Sequence, residues 1–175
     1  YTRLLERARE LAPDIFLRTT FIVGFPGETD EHFDHLLDFV RRSQFDHLGA
    51  FVYSAEPGTP AAELPDPVTP AIARRRHRRL LAAQKPIASA RRRALVGRTF
   101  DCLVEGVSPE TEHLLEGRHY GMAPEIDGRL LINDGAAPAG SFARVEITDA
   151  FASDLVGRIV GPVGTPGVEI AASVA

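Results

Sequence analysis

The sequence predicts an α/β segment followed by an all-β segment. Three observations carry this. The first third alternates helix, strand, helix, strand; an arginine-rich helical run opens at Thr69; and from Gly97 onward the apolar residues recur with period two and are punctuated by turn residues.

Leu4, Leu5, Ala8 and Leu11 fall at helical spacing over Thr2 to Leu11, and Pro13 forbids continuation. Arg18 to Phe25 is β-branched and apolar. Its Phe21-Ile22-Val23 run is continuous, as in a strand covered on both faces. The strand stops at Pro26-Gly27. Thr29 then reads as an N-cap, with Asp30 and Glu31 in the first turn, Phe33, Leu36, Leu37 and Val40 on one face, and Arg41 and Arg42 at the C-terminal end. Leu48 to Tyr53 is a second buried strand. Five prolines between Glu56 and Pro70 make a loop. Thr69-Pro70 starts a helix with apolar contacts at Leu80, Leu81, Ile87 and Leu95, and Pro86 is expected to kink or split it.

Beyond Gly97, Phe100, Cys102 and Val104 alternate with Asp101, Leu103 and Glu105, and Ala143, Val145 and Ile147 with Arg144, Glu146 and Thr148. With Thr111 to Gly117, Arg129 to Asn133 and Leu155 to Gly161 they give five short strands, the pattern of a small OB-like β-barrel. The expected organisation is therefore residues 1–68 as α/β, 69–96 as an arginine-rich linker helix, 97–161 as a β-barrel, and 162–175 as a disordered tail.

Charge is distributed unevenly. Between Val68 and Phe100 stand ten basic residues and no acidic one, whereas four arginines face twelve carboxylates from Asp101 onward, against a net charge of -4 for the whole chain. A barrel that grips RNA should be basic, so the acidic barrel suits a basic protein partner, with Glu125 and Asp127 as candidate contacts. The arginine helix fits three uses: packing at a domain junction, which the pattern favours, then contact with RNA, then a solvated face. Cys102 is the sole cysteine, which excludes an intramolecular disulfide and a cysteine-only cluster, and it falls on the inward face of a strand. The six histidines show no ligand spacing, so no metal site is expected. Neither a membrane span nor a signal peptide is visible, which makes a cytoplasmic address the default. A start at Tyr1 with Met122 as the only methionine reads as a piece of a longer frame.

Three stretches resemble the radical-SAM methylthiotransferases. Thr20 to Thr29 (TFIVGFPGET) is similar to their fifth-strand segment beside the adenosyl group. Gly49 to Ala61 (GAFVYSAEPGTPA) is similar to their sixth strand and the loop after it. Val96-Gly97-Arg98-Thr99 together with Val145 to Ala150 and Asp154 to Gly157 resemble a TRAM domain, and Gly117 to Gly128 resembles the loop of the RimO-type branch. Met122 departs from the acidic residue expected in that loop, and Pro86 stands in a helix that is usually unbroken.

The resemblance implies the C-terminal end of a partial (β/α)6 radical-SAM barrel joined to a five-stranded TRAM barrel. It implies S-adenosyl-L-methionine and two 4Fe-4S clusters as cofactors, with every cluster ligand outside this chain. It also implies methylthiolation of the β-carbon of an aspartate on small-subunit ribosomal protein twelve, a deoxyadenosyl radical removing the hydrogen. Carried over by position, Ile22, Val23, Gly24, Glu28, Phe51, Tyr53 and Ser54 would bind the cofactor, and Arg118, Tyr120, Glu125 and Asp127 the substrate; no catalytic residue is assigned. The chain alone is then expected to be inactive, and ribosomal RNA is a further candidate partner for the arginine-rich helix. A tRNA methylthiotransferase and a non-catalytic RNA- or ribosome-binding module are the alternatives. The acidic barrel and the Ala123 to Gly128 loop disfavour the first, and the missing initiator disfavours the second.

Overall fold

A computed structural model of the chain describes residues 1–163. Of the tail expected over 162–175, residues 164–175 lie outside the described residues, and Pro162 belongs to the last strand. The chain divides into two compact units, Tyr1–Ala94 and Leu95 onward.

In the first unit, α1 (Thr2–Leu11), β1 (Arg18–Val23), α2 (Asp30–Ser43), β2 (His47–Val52) and α3 (Pro70–Arg93) follow in order, with a short 3-10 turn at Pro60–Glu63. β1 and β2 pair in parallel from Arg18 opposite His47 to Val23 opposite Val52. Residues Thr19, Phe21 and Val23 turn inward, while Arg18, Thr20 and Ile22 are exposed. Of the two faces expected to be covered, the described residues cover one. The helices cover one face only, and among the described residues nothing in this unit covers the other.

The core under that covered face joins Leu17, Val23, Phe33, Leu37, Val40, Phe45, Leu80 and Ile87. Each such side chain contributes about 1.5–3 kcal/mol by leaving water. Phe21, Phe39 and Phe45 meet edge to face at 5.9–6.4 Å beside it. Of the four apolar residues that define α1, only Leu5 joins the core, and Leu4 and Leu11 stay exposed.

α2 is capped as the sequence predicts, and more fully. Thr29 Oγ1 accepts from the His32 amide at 3.1 Å, and His32 Nδ1 accepts from the Thr29 amide at 3.3 Å, a capping box with histidine in the place of Glu or Gln. α3 starts with Thr69 Oγ1 accepting from the Ile72 amide and Pro70 at the first helical position. It runs through Pro86 without a break, which corrects the expected split. Pro86 is exposed, so the Ala82 carbonyl it leaves without an amide donor lies on the wet side of the helix. Ala73, Arg76, Leu80, Gln84 and Ile87 bury the opposite side and keep the helix continuous there. Leu81, expected in the core, is 39% exposed. α3 packs on β2 and α2.

The second unit is a closed barrel with strand order β3-β4-β5-β7-β6: β3 (Thr99–Val107), β4 (Leu115–His119), β5 (Leu130–Asp134), β6 (Phe142–Ala150) and β7 (Leu155–Pro162). All neighbours are antiparallel except β5 and β7. Phe100, Cys102, Val104, Leu130, Ile132, Ala143, Val145, Ile147 and Leu155 fill the interior, as the period-two pattern requires. β4 begins four residues later than expected. Residues 109–114 form a loop closed by the Ser108 amide donating to the Leu114 carbonyl at 2.8 Å.

Candidate functional site

Two places bring sequence-predicted residues together, one in each unit. In the first unit it is the bare face of the β1–β2 pair. Ile22 stands directly opposite Phe51 in the parallel register, and both are open to solvent, at 57% and 64%. Tyr53, two residues beyond Phe51, holds its ring 5.0 Å from Phe25, and its buried hydroxyl has no hydrogen-bond partner among the described residues. Ser54 follows, exposed. Val23 differs: its side chain is fully buried under the helices, so only its backbone faces a ligand, and its carbonyl already accepts from the Tyr53 amide at 2.9 Å.

Gly24 and Glu28 are engaged locally. Gly24 has φ +81°, and a Cβ there would sit 2.5 Å from the Ala73 Cβ of α3, so glycine is required both by conformation and by the close approach of the helix. Its amide donates to the Glu28 carboxylate, 3.1 Å from each oxygen. Arg76, 4% exposed at its side chain, completes the arrangement. Its guanidinium donates to Glu28 Oε1 at 2.6 Å, to the Glu28 carbonyl at 2.9 Å and to Asp30 Oδ1 at 2.8 Å. Hydrogen bonding to Arg76 and then its charge hold the Asp30 carboxyl below the usual carboxylate range. The strand-to-helix turn is thus pinned from α3 through Glu28, a carboxylate the resemblance assigned to the cofactor.

Phe25, Ala73 and Arg76 were not singled out from sequence. Ala73, Arg76, Leu80, Gln84 and Ile87 recur at three- and four-residue steps, a helical face that the run of arginines hides. Two other buried contacts tie the same unit. Asp46 accepts from the Leu17 amide at 2.8 Å and from Arg91 Nε at 2.7 Å, and Gln84 donates to the Phe45 carbonyl at 2.8 Å.

In the second unit the loop after β4 borders a cleft of about 690 Å³ lined by Arg118, Met122, Glu125, Ile126, Asp127 and Asp154 among others. Tyr120 is not part of that lining. It lies 67% exposed beside the stacked pair of Phe100 and His119, whose rings are 4.7 Å apart. Gly128 closes the loop where a Cβ would collide with the Ser153 carbonyl. The Ala123 amide donates to Asp127 at 2.7 Å and the Arg129 amide to Asp154 at 2.8 Å, which fixes both carboxylates at the rim.

The barrel's arginines are turned inward on its own acids. Arg118 meets Glu105 at 2.7 Å, Arg129 meets Glu110 and Glu116 at 2.8 and 3.0 Å, Arg158 meets Glu146 at 2.8 Å, and Arg144 lies 3.8 Å from Asp101. Cys102 is fully buried, and desolvation, with the charge of Asp101 behind it, pushes its thiol up to about 12. It is a neutral core residue. Among the described residues no group of three or more His, Cys, Asp or Glu side chains could hold a metal ion, and no helix is long and apolar enough to cross a membrane.

Residues 96–160, which contain this cleft and nearly the whole barrel, match the family model of the TRAM domain. The similarity extends across the first unit as well. The chain is 54% identical over 157 residues, 90% of its length, to the ribosomal protein uS12 methylthiotransferase RimO of Anaeromyxobacter sp. (strain K). It is 50% identical over 90% of its length to the protein of that name from Myxococcus xanthus, and 50% identical over 91% to the one from Parasynechococcus marenigrum. The chain is similar to part of the RimO-type methylthiotransferases. It spans about a third of the length of these curated relatives: 34%, 33% and 35%.

Proposed function

We propose that this chain works as part of a methylthiotransferase that modifies the β-carbon of an aspartate on the small-subunit ribosomal protein uS12 by radical-SAM chemistry. The observation that carries the reading is identity of about half to RimO proteins across both units rather than in the barrel alone. The sign of the barrel supports a protein substrate over tRNA. Phosphate contacts need available cations, and Arg118, Arg129, Arg144 and Arg158 each already face a carboxylate. The cleft, with Glu125 exposed on its loop, suits basic side chains of a partner, and Arg118 and Asp127 shape its walls.

The first unit's bare face fits an adenosyl group. Ile22 and Phe51 offer apolar surface for the base, and the Tyr53 hydroxyl, without a hydrogen-bond partner among the described residues, offers a polar contact at its edge. Bound there, S-adenosylmethionine would supply the hydrogen-abstracting group and the methyl donor. Arg76 and Glu28 keep the turn at Gly24 in shape, Val23 closes the core behind it, and Ser54 borders the open side. The 4Fe-4S clusters do not fit this chain, whose single cysteine is buried and protonated. The chain by itself is inactive on this reading. The setting is the cytoplasm, and the arginine-rich helix adds contact with ribosomal RNA.

The test is mass spectrometry of ribosomal protein uS12 and of tRNA from a strain lacking its own methylthiotransferase, complemented with the protein that contains this chain. A methylthio group on the uS12 aspartate supports the reading. Modified tRNA with unmodified uS12, or neither modified, overturns it.

A further inference from the structure

Seven of the nine basic residues of α3 sort into two sets; Arg92 and Arg93, at its C-terminal end, belong to neither, and Arg93 donates to the Ser89 hydroxyl. Facing its own unit, Arg76 pairs with Glu28 and Asp30, Arg79 with Asp34 at 3.2 Å, and Arg91 with Asp46. Facing outward, Arg74, Arg75, Arg78 and Lys85 are all exposed, and no ion pair joins any of them to a carboxylate among the described residues. At 3.6 residues per turn these four fall within an arc of about 100°, opposite the face that buries Ala73, Arg76, Leu80, Gln84 and Ile87. They extend over about 17 Å of helix at about 1.5 Å per residue.

A solvated helix face normally interleaves acids with its bases at i±4. No acid occurs anywhere between Val68 and Phe100, and Arg74 and Arg78 are like charges one turn apart. Apart from Arg75, whose charge also acts on Asp30, the stripe is therefore self-repulsive until a polyanion meets it. It carries no aromatic side chain for stacking on bases, and its cations are mainly guanidinium groups, which grip phosphate oxygens with two donors at once.

We infer that Arg74, Arg75, Arg78 and Lys85 form a docking surface for the sugar-phosphate backbone of duplex RNA, bound without sequence preference. The surface does not depend on the cleft in the barrel. Only the choice of RNA over other polyanions rests on the ribosomal reading above.

The whole chain and its R74Q/R78Q/K85Q variant are titrated against a fluorescently labelled RNA duplex of about two helical turns, with anisotropy read at several salt concentrations. Four phosphate contacts give a slope of log affinity against log salt of about -3.6, and the variant's slope falls to about -0.9. The control R144Q, in the barrel, keeps the wild-type slope. Unchanged circular dichroism shows that the triple variant, altered only on the wet face, is folded. The inference is overturned if the wild-type chain does not bind the duplex, or if the triple variant binds with the wild-type slope. It is equally overturned if neutralisation leaves RNA affinity unchanged and lowers the melting temperature at low salt, because the stripe would then be serving the chain's own acids. Duplex binding is measured without uS12, so its failure leaves the methylthiolation reading standing, and the reverse also holds.

Discussion

Replacing Arg76 with alanine leaves the Glu28 carboxylate, 12% exposed, with the Gly24 amide as its remaining donor in this network, and takes a further donor from the Glu28 carbonyl. The Asp30 contact adds little, because that carboxylate is 75% exposed. Removing one partner of a buried pair costs about 3–5 kcal/mol, since the other charge stays desolvated. For a unit of under a hundred residues each kcal/mol is worth about 4–8 °C, so the first unit's transition should fall by at least about 12 °C. The sequence has no tryptophan, so helical circular dichroism during urea or thermal unfolding is the readout. The paired variant R76M/E28Q removes both charges and keeps the volume, and it should recover to within about 1.5 kcal/mol of wild type. If R76A costs less than about 1 kcal/mol, or the paired variant is as unstable as the single one, the turn is not held through this ion pair.

Gly24→Ala should destabilise the same unit by about 2–5 kcal/mol, combining the left-handed backbone penalty with overpacking against Ala73, as measured by urea unfolding. Phe51→Ser should leave unfolding of the chain within about 0.5 kcal/mol, because the ring is exposed, yet lower S-adenosylmethionine affinity of the enzyme containing it by at least about tenfold in calorimetry. Cys102 should resist thiol reagents in the folded chain and react on unfolding. Its thiol is raised from 9.0 to about 12, so the stability it contributes is complete below pH 9.0 and is lost as pH rises toward 12; a Cys102→Ala variant should show a flatter decline over that window.

The barrel was readable because each strand repeats one decision every two residues, and Phe100-Cys102-Val104 and Ala143-Val145-Ile147 all obey it. α2 was readable for the same reason at period 3.6. Other features depended on neighbours distant in the chain. Phe21-Ile22-Val23 has the composition of a strand covered on both sides, but which face a helix covers is decided at α2 and α3, and Ile22 stays bare. Arg76 looked like one cation among ten until Glu28, 48 residues earlier, met it. Pro86 promised a break, and packing on both sides of it, at Gln84 and Ile87, overrode the missing amide. At the candidate site, the Ile22–Phe51 pairing follows from register. The engagement of Glu28 with Gly24 and Arg76 could not be read from a motif, because the same letters serve a ligand contact and a structural lock.

The barrel's strand order also governs when it can form during synthesis. β7 is made last and sits between β5 and β6, with parallel pairing on one side and antiparallel on the other. Until Leu155–Pro162 leaves the ribosome, the sheet β6-β3-β4-β5 is an open ribbon with two unsatisfied edges, a shape prone to pairing with other chains. Its contacts with β5 join residues some 25 positions apart, such as the Leu155 amide and the Arg129 carbonyl at 2.9 Å, so closure waits for β7. A stop codon between Ala150 and Leu155 would therefore release an aggregation-prone ribbon rather than a slightly smaller barrel.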